Sequence, residues 1–398
     1  MIELRPTDMA HGGEAVARSD GKTHFVDGAI PGELVQGRVI RDAGNWARVE
    51  LVGLVEASPD RIAPPCRHFG ACGGCQWQFA EHRAQLEWKQ RILTGQLAHL
   101  GRIADPPVRP TLTVGPAYGY RNRVDFDVAA GRPAFHRRRS RDLEPIVECL
   151  LLEPPLADLV PRLGSLDGVK RLTLRTNSAG ETLAVVVGRA PDGIADWGCG
   201  VVQRRGAVVR SLLGSGYLFE TIAGVAFRVS ADAFFQNNTA GAAALVDLVG
   251  DALTPTTEET MLDGYAGGGL FGLTVGRGAG RVVAVESEPL ALDDLAQNSA
   301  TSGGRHRIVA APFERADIGG RWDVAVVDPP RTGLGADGVA TVIRGRPRAI
   351  AYVSCDPASL ARDTALLVAA GYRLEWVTPV DLFPQTFHIE AVAKFSPV

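Results

Sequence analysis

The sequence predicts an α/β protein with three parts: a small OB-like β-barrel over residues 1–55, a mostly β or α+β central domain over 56–235, and a Rossmann-like, doubly wound parallel sheet over 236–398. In the last part, apolar runs such as RVVAVES, RWDVAVVDPP and RAIAYVSC alternate with helical segments, which is typical of a parallel sheet covered on both faces. The first 55 residues instead carry short β-like runs between Gly and Pro turns, a pattern that favours a small barrel. In the middle, RLTLRT and TLAVVVG indicate further strands, and a polar helix is expected over about 80–100.

Composition limits the classes of function. The 398 residues are 45% apolar and 22% charged, as in globular proteins, and the net charge of −3 argues against a protein that is basic throughout. We find no apolar run of the roughly 18 residues that a membrane-spanning helix needs, and the first residues lack the apolar core of a secretory signal. We therefore expect a cytoplasmic monomer without membrane association.

Positive charge is concentrated in one segment of the predicted central domain. Between Tyr120 and Arg141 there are seven arginines and two aspartates, namely Arg121, Arg123, Arg132, Arg137, Arg138, Arg139 and Arg141, with Asp125 and Asp127. A solvated loop has this composition, and so does a patch that contacts nucleic-acid phosphates. The sequence leaves both interpretations open.

A glycine-rich loop in the C-terminal part predicts a nucleoside cofactor site. In MLDGYAGGGLFGL the loop follows a short strand, and Gly267 and Gly269 allow a tight turn and close approach of a ligand to the backbone. Nineteen residues after Gly267, the strand RVVAVE ends in Glu286, which is placed to accept hydrogen bonds from ribose hydroxyls. The spacing Gly267, Gly269, Gly272 fits both NAD and S-adenosylmethionine, and only the later motifs distinguish them.

Two further strand ends carry reactive residues. VVDPPRTGL places Asp328 in a stiff proline loop at the carboxyl edge of the sheet, where open α/β sheets bind ligands. AIAYVSC ends in Cys355 at the same edge, close to the start of the next helix, whose dipole is expected to lower the pKa of the thiol. The alternatives are a purely structural proline turn and a buried, inert cysteine.

A carboxylate near the end of the sequence is the candidate general base. In HIEAVAKF, Glu390 lies in an otherwise apolar strand, where a carboxylate is costly unless it is paired or functional. Partial burial would raise its pKa and suit it to proton transfer. His388 lies two residues earlier, on the same face of the predicted strand, and is the second candidate.

Four cysteines form a candidate metal site. Cys66, Cys72 and Cys75 make a C-x5-C-x2-C run, and Cys149 can complete a set of four thiolates. A reducing cytosol disfavours disulfides, and four thiolates suit either zinc or an iron–sulfur cluster. The spacing alone does not choose between the two metals.

Five sequence blocks together resemble the RNA uridine-C5 methyltransferases, which form 5-methyluridine in transfer and ribosomal RNA. The blocks are FFQNN (234–238), LDGYAGGGLFGL (262–273), DPPRTG (328–333), YVSCDPASLARD (352–363) and DLFPQTFHIE (381–390). The resemblance implies a class I methyltransferase domain, S-adenosylmethionine as the cofactor and RNA as the partner. It also implies that Cys355 attacks C6 of a uridine so that C5 becomes nucleophilic, and that Glu390 then removes the C5 proton and lets the thiolate leave.

The resemblance extends to ligand contacts. It implies cofactor contacts at Gln236, Tyr265, Glu286 and Asp328. Leu270 stands where the family often has a polar residue, so that position carries no assignment. Phe234 is expected either to stack on an RNA base or to pack in the core. Asp356 replaces a common Asn, and both residues can cap the following helix.

The N-terminal blocks HGGEAVAR and FVDGAIPGELV resemble the small RNA-binding TRAM domain of many family members. Members with the C-x5-C-x2-C…C arrangement hold a [4Fe-4S] cluster, so the resemblance implies such a cluster on Cys66, Cys72, Cys75 and Cys149, with a structural role. Cluster-bearing members often act on ribosomal RNA, which slightly favours ribosomal over transfer RNA as the substrate.

Three other functions use some of these motifs. An NAD(P)-dependent iron–sulfur redox enzyme would explain the glycine loop, Glu286 and the four cysteines, but not SCDPASLARD or FPQTFHIE. A base-nitrogen methyltransferase would use the DPPR loop without covalent catalysis. A non-catalytic RNA-binding protein would keep the fold without methyl transfer.

Overall fold

Three large β-sheets follow one another along the chain. The computed structural model describes residues 1–206, 208–303 and 306–398. The first sheet, which we call the N-terminal β domain, consists of β1 (Ile2–Leu4), β2 (Asp8–Met9), β3 (Ala15–Ser19), β4 (Lys22–Asp27), β5 (Leu34–Asp42) and β6 (Trp46–Glu56). Its strand order is β1-β5-β6-β4-β3-β2, and alternate residues such as Val26, Ala47 and Val49 point into its core.

A helix and a short strand separate this sheet from the next. The helix is α1 (His82–His99), where the sequence predicted a helix over about 80–100, and the strand is β7 (Leu112–Thr113). Although the helix is polar in sequence, Trp88, Ile92, Leu93 and Leu97 are buried on one face.

The central sheet is mostly antiparallel. Its strands are β8 (Arg123–Ala129), β9 (Arg132–His136), β10 (Leu143–Pro145), β11 (Val169–Thr176), β12 (Thr182–Gly188), β13 (Gly200–Arg205) and β14 (Val208–Leu213), with α2 (Pro154–Leu159) packed against it. A hairpin of β15 (Tyr217–Ile222) and β16 (Val225–Ser230) follows. The predicted β-rich character of the middle of the chain is confirmed.

The C-terminal sheet is flanked by helices on both faces. Its elements are α3 (Thr239–Leu253), β17 (Thr260–Gly264), α4 (Leu270–Leu273), β18 (Arg281–Glu286), α5 (Pro289–Thr301), β19 (His306–Ala310), β20 (Val324–Val327), α6 (Gly335–Arg344), β21 (Ala349–Ser354), α7 (Pro357–Ala369), β22 (Tyr372–Asp381) and β23 (Glu390–Pro397). The order is β19-β18-β17-β20-β21-β23-β22-β7, with the first five strands parallel. The α/β class with an N-terminal β domain is confirmed.

Helix α1 and strand β7 come early in the chain but pack on this last sheet. Leu93 and Leu97 of α1 lie in one apolar cluster with Leu360 and Ala361 of α7, and β7 pairs with β22 in parallel. The C-terminal sheet is therefore completed by residues that precede the central sheet.

Burial of the parallel strands explains their near-continuous apolar sequences. All residues of β20 and β21 are buried, as expected for strands covered on both faces. Within the described residues, we find no helix that combines the length and apolarity needed to cross a membrane.

Candidate active site

The carboxyl ends of the parallel strands form one edge that carries the predicted site residues. Gly264 at the end of β17 is in register with Val327 of β20, which in turn is in register with Tyr352 of β21. Asp328 and the Cys355 segment therefore leave neighbouring strands at the same edge, beside the glycine loop.

The glycine loop and Glu286 contact each other directly. The backbone N–H of Gly267 donates to Oε2 of Glu286 at 2.8 Å. Gly267 and Gly269 have φ angles of +54° and +94°, in the left-handed region that favours glycine. A Cβ at Gly269 would lie 2.8 Å from side-chain atoms of Leu273 and Leu295, so the packing also excludes a side chain there. The predicted pairing of this loop with an acidic strand end is present.

Tyr265, next to this loop, has a left-handed backbone conformation. Its φ angle is +60°, which is uncommon for a residue with a side chain. The hydroxyl donates to Oε1 of Glu314 at 2.6 Å, and the ring centroid lies 4.8 Å from that of Phe313.

Asp263, one residue before Gly264, was missed in the sequence interpretation. Its Oδ2 accepts a hydrogen bond from the N–H of Gly272 at 2.8 Å, and the side chain is buried. Burial raises the pKa of Asp263 to about 7, against the effect of that hydrogen bond. The signal was available, because a carboxylate in a buried strand is as unusual here as it is at Glu390.

Cys355 and Glu390 are brought together by an antiparallel ladder. Strand β23 pairs with β21 in antiparallel orientation, and Ser354 lies opposite Ala391. Cys355, which follows Ser354, and Glu390, which precedes Ala391, are therefore neighbours across the ladder. The first residue of β23 is Glu390 itself, and it is 4% exposed. The two residues assigned to nucleophile and base therefore lie at the same point of the sheet edge.

The expected lowering of the thiol pKa is wrong. Burial, together with the negative charges of Glu390 and Asp328, raises the pKa of Cys355 to about 12. The positive charge of Arg331 acts in the opposite direction but is outweighed. The helix does begin beside the thiol, since Asp356 caps α7 by accepting from the N–H of Ser359 at 2.7 Å, yet desolvation dominates.

The carboxyl groups of Glu390 and Asp328 share this buried position. Burial raises the pKa of both groups, and the charge of Asp328 raises that of Glu390 further. Of the two candidate bases, His388 does not lie on the strand as expected, because β23 begins only at Glu390. Burial and neighbouring cations lower the pKa of His388 to about 4, which makes it the weaker base.

The FFQNN segment (234–238) contacts the segment that precedes Glu390. Gln236 is buried, and its carbonyl accepts from the side chain of Asn122 at 3.2 Å. The side chain of Asn238 donates to the carbonyl of Leu382 at 3.1 Å. Phe234 is 63% exposed, so it does not pack in the core and its ring is available for stacking.

The N-terminal β domain reaches the sheet edge that carries Cys355. Nε2 of His11 lies 3.5 Å from Oδ2 of Asp356, next to Cys355. The carbonyl of Gly13 accepts a hydrogen bond from the indole of Trp77 at 3.2 Å. Sequence could not reveal these contacts, because they join residues that lie far apart in the chain.

Part of the arginine-rich segment binds carboxylates of the N-terminal β domain. Arg138 pairs with Asp27 at 2.5 Å, and Arg139 pairs with Glu14 at 2.9 Å and with Asp27 at 3.3 Å. These arginines join the first sheet to the central sheet. Both also line a cleft. Arg48 and His388, the latter two residues before Glu390, line the same cleft.

The four cysteines of the predicted metal site, Cys66, Cys72, Cys75 and Cys149, line one cavity. Burial raises the pKa of Cys72 to about 11 and that of Cys75 to about 12, and it raises the pKa of Cys149 as well. Among the described residues, no three His, Cys, Asp or Glu side chains lie close enough to bind a single metal ion. The four cysteines thus line a common cavity but do not form a mononuclear metal site in the described residues.

Comparison with known proteins identifies the family. A model of the tRNA (uracil-5-)-methyltransferase family matches residues 320–395, which include Asp328, Cys355 and Glu390. An RNA methyltransferase of Gloeobacter violaceus is 35% identical over 98% of this chain and 95% of its own length. The 23S rRNA (uracil(1939)-C(5))-methyltransferase RlmD of Shewanella piezotolerans is 30% identical over 99% of this chain and 95% of its own.

A solved structure confirms the fold along the whole chain. The Pyrococcus abyssi tRNA (uracil-54, C5)-methyltransferase, solved with S-adenosyl-L-homocysteine, superposes with a TM-score of 0.80 over 99% of this chain and 100% of its own, at 22% sequence identity. Taken with the sequence matches, the chain belongs to the RNA (uracil-C5)-methyltransferase family of S-adenosylmethionine-dependent enzymes.

Proposed function

We propose that this enzyme methylates C5 of a specific uridine through a covalent intermediate, with Cys355 as the nucleophile and Glu390 as the general base. The observation that carries the proposal is the ladder between β21 and β23, which sets the two residues side by side at the ligand-binding edge of the sheet. In the first step, a bond forms between the sulfur of Cys355 and C6, and the electron pair of the C5–C6 double bond moves towards C5 and O4.

The second half of the reaction needs a base. After C5 has gained its methyl group, the carboxylate of Glu390 removes the C5 proton, the double bond re-forms, and the bond from C6 to sulfur breaks. The raised pKa of Glu390 makes it a stronger base than an exposed carboxylate. The positive charge of Arg331 favours the ionised forms of both groups, because it lowers the pKa of the thiol and limits the rise in the pKa of the carboxyl group.

The residues of the glycine loop fit S-adenosylmethionine. Glu286 would accept from the ribose hydroxyls, and Gln236, Asp328 and the backbone of Tyr265, Gly267 and Gly269 would line the rest of the site. When bound, S-adenosylmethionine supplies the methyl group and a positive sulfonium. The buried carboxyl groups of Asp328 and Asp263 suit a cationic ligand, since a positive charge nearby favours their ionised form.

We propose that Cys66, Cys72, Cys75 and Cys149, which line one cavity, hold a [4Fe-4S] cluster rather than zinc. Thiolates on one zinc ion lie about 4 Å apart, because each Zn–S bond is ~2.3 Å. In a cubane cluster each thiolate binds a different iron, so the sulfurs stand farther apart around a common space. The shared cavity places the four thiols around one space, and the role that we assign to the cluster is structural.

Ribosomal RNA is the substrate class that we favour. The 30% identity to the 23S rRNA enzyme extends over 99% of this chain, whereas the transfer RNA enzyme shares its fold at 22% identity. We propose that Phe234 stacks on a base and that the N-terminal β domain, as a TRAM-like domain, contacts RNA along the cleft that contains Arg48.

The mechanism predicts opposite behaviour of two variants. With an unmodified 23S rRNA transcript carrying tritium at C5 of uridine, Cys355→Ala should release no tritium and form no adduct, because the bond to C6 cannot form. Glu390→Gln should add to C6 and then stall, leaving a protein–RNA adduct that survives denaturing electrophoresis.

Both variants are compared with the unsubstituted protein in the presence and absence of S-adenosylmethionine. Undiminished tritium release by Cys355→Ala would rule out the covalent mechanism. Methylation of a base nitrogen, detected by mass spectrometry of the nucleosides, would favour the non-covalent alternative.

The cluster makes a separate prediction. Protein purified without oxygen should contain about four iron and four acid-labile sulfide ions per chain, as expected for a [4Fe-4S] cluster. Cys75→Ser should lose most of both. Cys199→Ser is the matched control, since Cys199 is also half-buried but lies outside the cavity. One zinc and no sulfide per chain would show that the metal assignment is wrong.

A further inference from the structure

The segment that leads into the base is held by several other elements. It runs from the end of β22 to the start of β23, and each of four consecutive carbonyl groups accepts a hydrogen bond from elsewhere in the chain. Leu382 O accepts from Asn238 Nδ2 at 3.1 Å, Phe383 O from Lys89 Nζ at 3.0 Å, Pro384 O from the Tyr120 hydroxyl at 3.0 Å, and Gln385 O from the N–H groups of Gln76 and Trp77 at 3.0 and 3.1 Å. We call residues 382–389 the base segment.

Gln385 is the centre of this arrangement. Its N–H donates to Oε1 of Gln85 at 3.0 Å, and its Oε1 accepts from Nε2 of Gln85 at 3.0 Å, so the two residues form a pair of reciprocal hydrogen bonds. Gln85 lies on α1 and is fully buried, and Gln385 is 3% exposed. The φ angle of Gln385 is +70°, a left-handed conformation that persists in a non-glycine residue only when its surroundings hold it there.

The base lies between this pair and the ladder. Glu390 is the first residue of β23, and its strand neighbour Ala391 is paired with Ser354 beside Cys355. On the other side, the short stretch from Thr386 to Ile389 connects Glu390 to Gln385. A shift of Gln385 is therefore transmitted to the carboxylate. Cys355 and the glycine loop instead follow β21 and β17, and within the described residues the side chain of Gln85 forms no hydrogen bond with them or with these strands.

We propose that Gln85 and Gln385 are positioning residues for the proton-transfer step: they hold the base segment so that Glu390 meets the C5 proton. The inference rests on the proposed function, in which Glu390 is the base. It separates two halves of the reaction, since addition of the thiolate to C6 and transfer of the methyl group do not need Glu390, but removal of the C5 proton does.

The test is a single-turnover experiment with Gln85→Leu in the full-length protein. Leucine has a similar volume but makes neither hydrogen bond. The protein is mixed with S-adenosylmethionine and an unmodified 23S rRNA transcript tritiated at C5, and samples are denatured at successive times. We expect the methylated protein–RNA adduct to accumulate and tritium release to slow, on the order of tenfold, as for a misplaced catalytic group, while methyl incorporation into RNA keeps its rate.

A second variant of Gln85 and a control variant on the same helix complete the experiment. Gln85→Glu retains an acceptor for the N–H of Gln385 and should show a smaller accumulation, even if Gln85→Leu folds poorly. Gln90→Leu is the matched control on the same helix. Within the part of the chain that the structure describes, its amide makes one long hydrogen bond, to Val108 O at 3.5 Å, so the variant should behave like the unsubstituted protein.

Equal slowing of methyl incorporation and tritium release in Gln85→Glu, or unchanged kinetics in both Gln85 variants, would overturn the positioning role and leave the proposed function intact. If the unsubstituted protein forms no 5-methyluridine in either 23S rRNA or transfer RNA transcripts, the proposed function fails, and the inference fails with it.

Discussion

At the scale of single residues, the reactivity of Cys355 is set by what surrounds it rather than by the helix that follows it. The dipole of α7 favours a thiolate, but desolvation and the nearby carboxyl groups of Glu390, Asp328 and Asp356 oppose it and raise the pKa to about 12. Without a cofactor, the thiol is therefore protonated at neutral pH. A cationic ligand beside Asp328 would shift this balance towards the thiolate.

This predicts how Cys355 reacts with iodoacetamide, which alkylates thiolates. Between pH 7 and pH 9 the rate at Cys355, followed by peptide mass spectrometry, should rise about tenfold per pH unit without levelling off, because the thiol stays far below its pKa. At a fixed pH, S-adenosylmethionine should accelerate the reaction relative to S-adenosylhomocysteine, which lacks the positive charge.

The two cofactor forms occupy similar space, so shielding of the thiol affects both alike. A rate that levels off near pH 9, or equal rates with the two cofactors, would contradict the electrostatic explanation.

The sequence revealed the members of the site but not their ionisation. Cys355, Asp328 and Glu286 each follow an apolar strand, and parallel strands share one carboxyl edge, so their proximity was predictable. The direction of the thiol pKa shift was not, because it depends first on how deeply the thiol is buried and then on the carboxyl groups beside it, including Glu390 from an antiparallel strand. Likewise, no sequence pattern indicated that Phe234 would be exposed while Phe235 is buried.

At the scale of elements, helix α1 buries polar side chains that its sequence would place in solvent. Its Lys89 is fully buried and forms an ion pair of 2.5 Å with Asp381 at the end of β22, and His82 approaches the other carboxylate oxygen at 2.6 Å. In the sequence, Gln85 and Lys89 look like solvent-facing residues of an ordinary surface helix. Their partners lie about 300 residues away, and local periodicity carries no information about them.

The ion pair predicts a large loss of stability in Lys89→Met. Removal of one partner leaves the carboxylate of Asp381 buried with His82 alone, which should lower the free energy of unfolding by about 3–5 kcal/mol. Urea denaturation followed by circular dichroism measures the change.

Arg91→Met is the control on the same helix. Its pair with Asp8 is long, at 3.8 Å, and both side chains are about half exposed, so the loss should not exceed about 1 kcal/mol. If the two substitutions had equal effects, burial would not be what makes the Lys89 pair important.

At the scale of the whole molecule, the arginine-rich segment joins two sheets. The sequence left open whether these arginines are solvated or contact phosphates, and Arg138 and Arg139 instead pair with Asp27 and Glu14 of the N-terminal β domain. Such pairs could not be predicted, because the relative position of two domains depends on contacts that span the chain. Both arginines also line the cleft beside these pairs.

We expect the double substitution Arg138→Ala and Arg139→Ala to loosen the N-terminal β domain. Its contact with the central sheet should weaken by on the order of 1 kcal/mol per pair, the upper range for partly exposed ion pairs. Hydrogen exchange of residues 15–27 should become faster, while that of the buried strands β20 and β21 should not change. Arg141→Ala, an exposed arginine of the same segment, is the control. Unchanged exchange in residues 15–27 would show that the pairs do not hold the domains together.

The pairing of Gln85 with Gln385 has a consequence for synthesis of the protein on the ribosome. The two residues are separated by 300 positions, and translation at ~5–20 residues per second takes roughly 15–60 s to cover that distance. During this time α1 has left the ribosome without β22, α7 or the base segment to pack on. Until then, the amide of Gln85 and the apolar face of the helix are exposed to water or bound by a chaperone. A nascent chain can therefore form strands of its N-terminal β domain early, but α1 acquires its partners only after the base segment and β23 have been made.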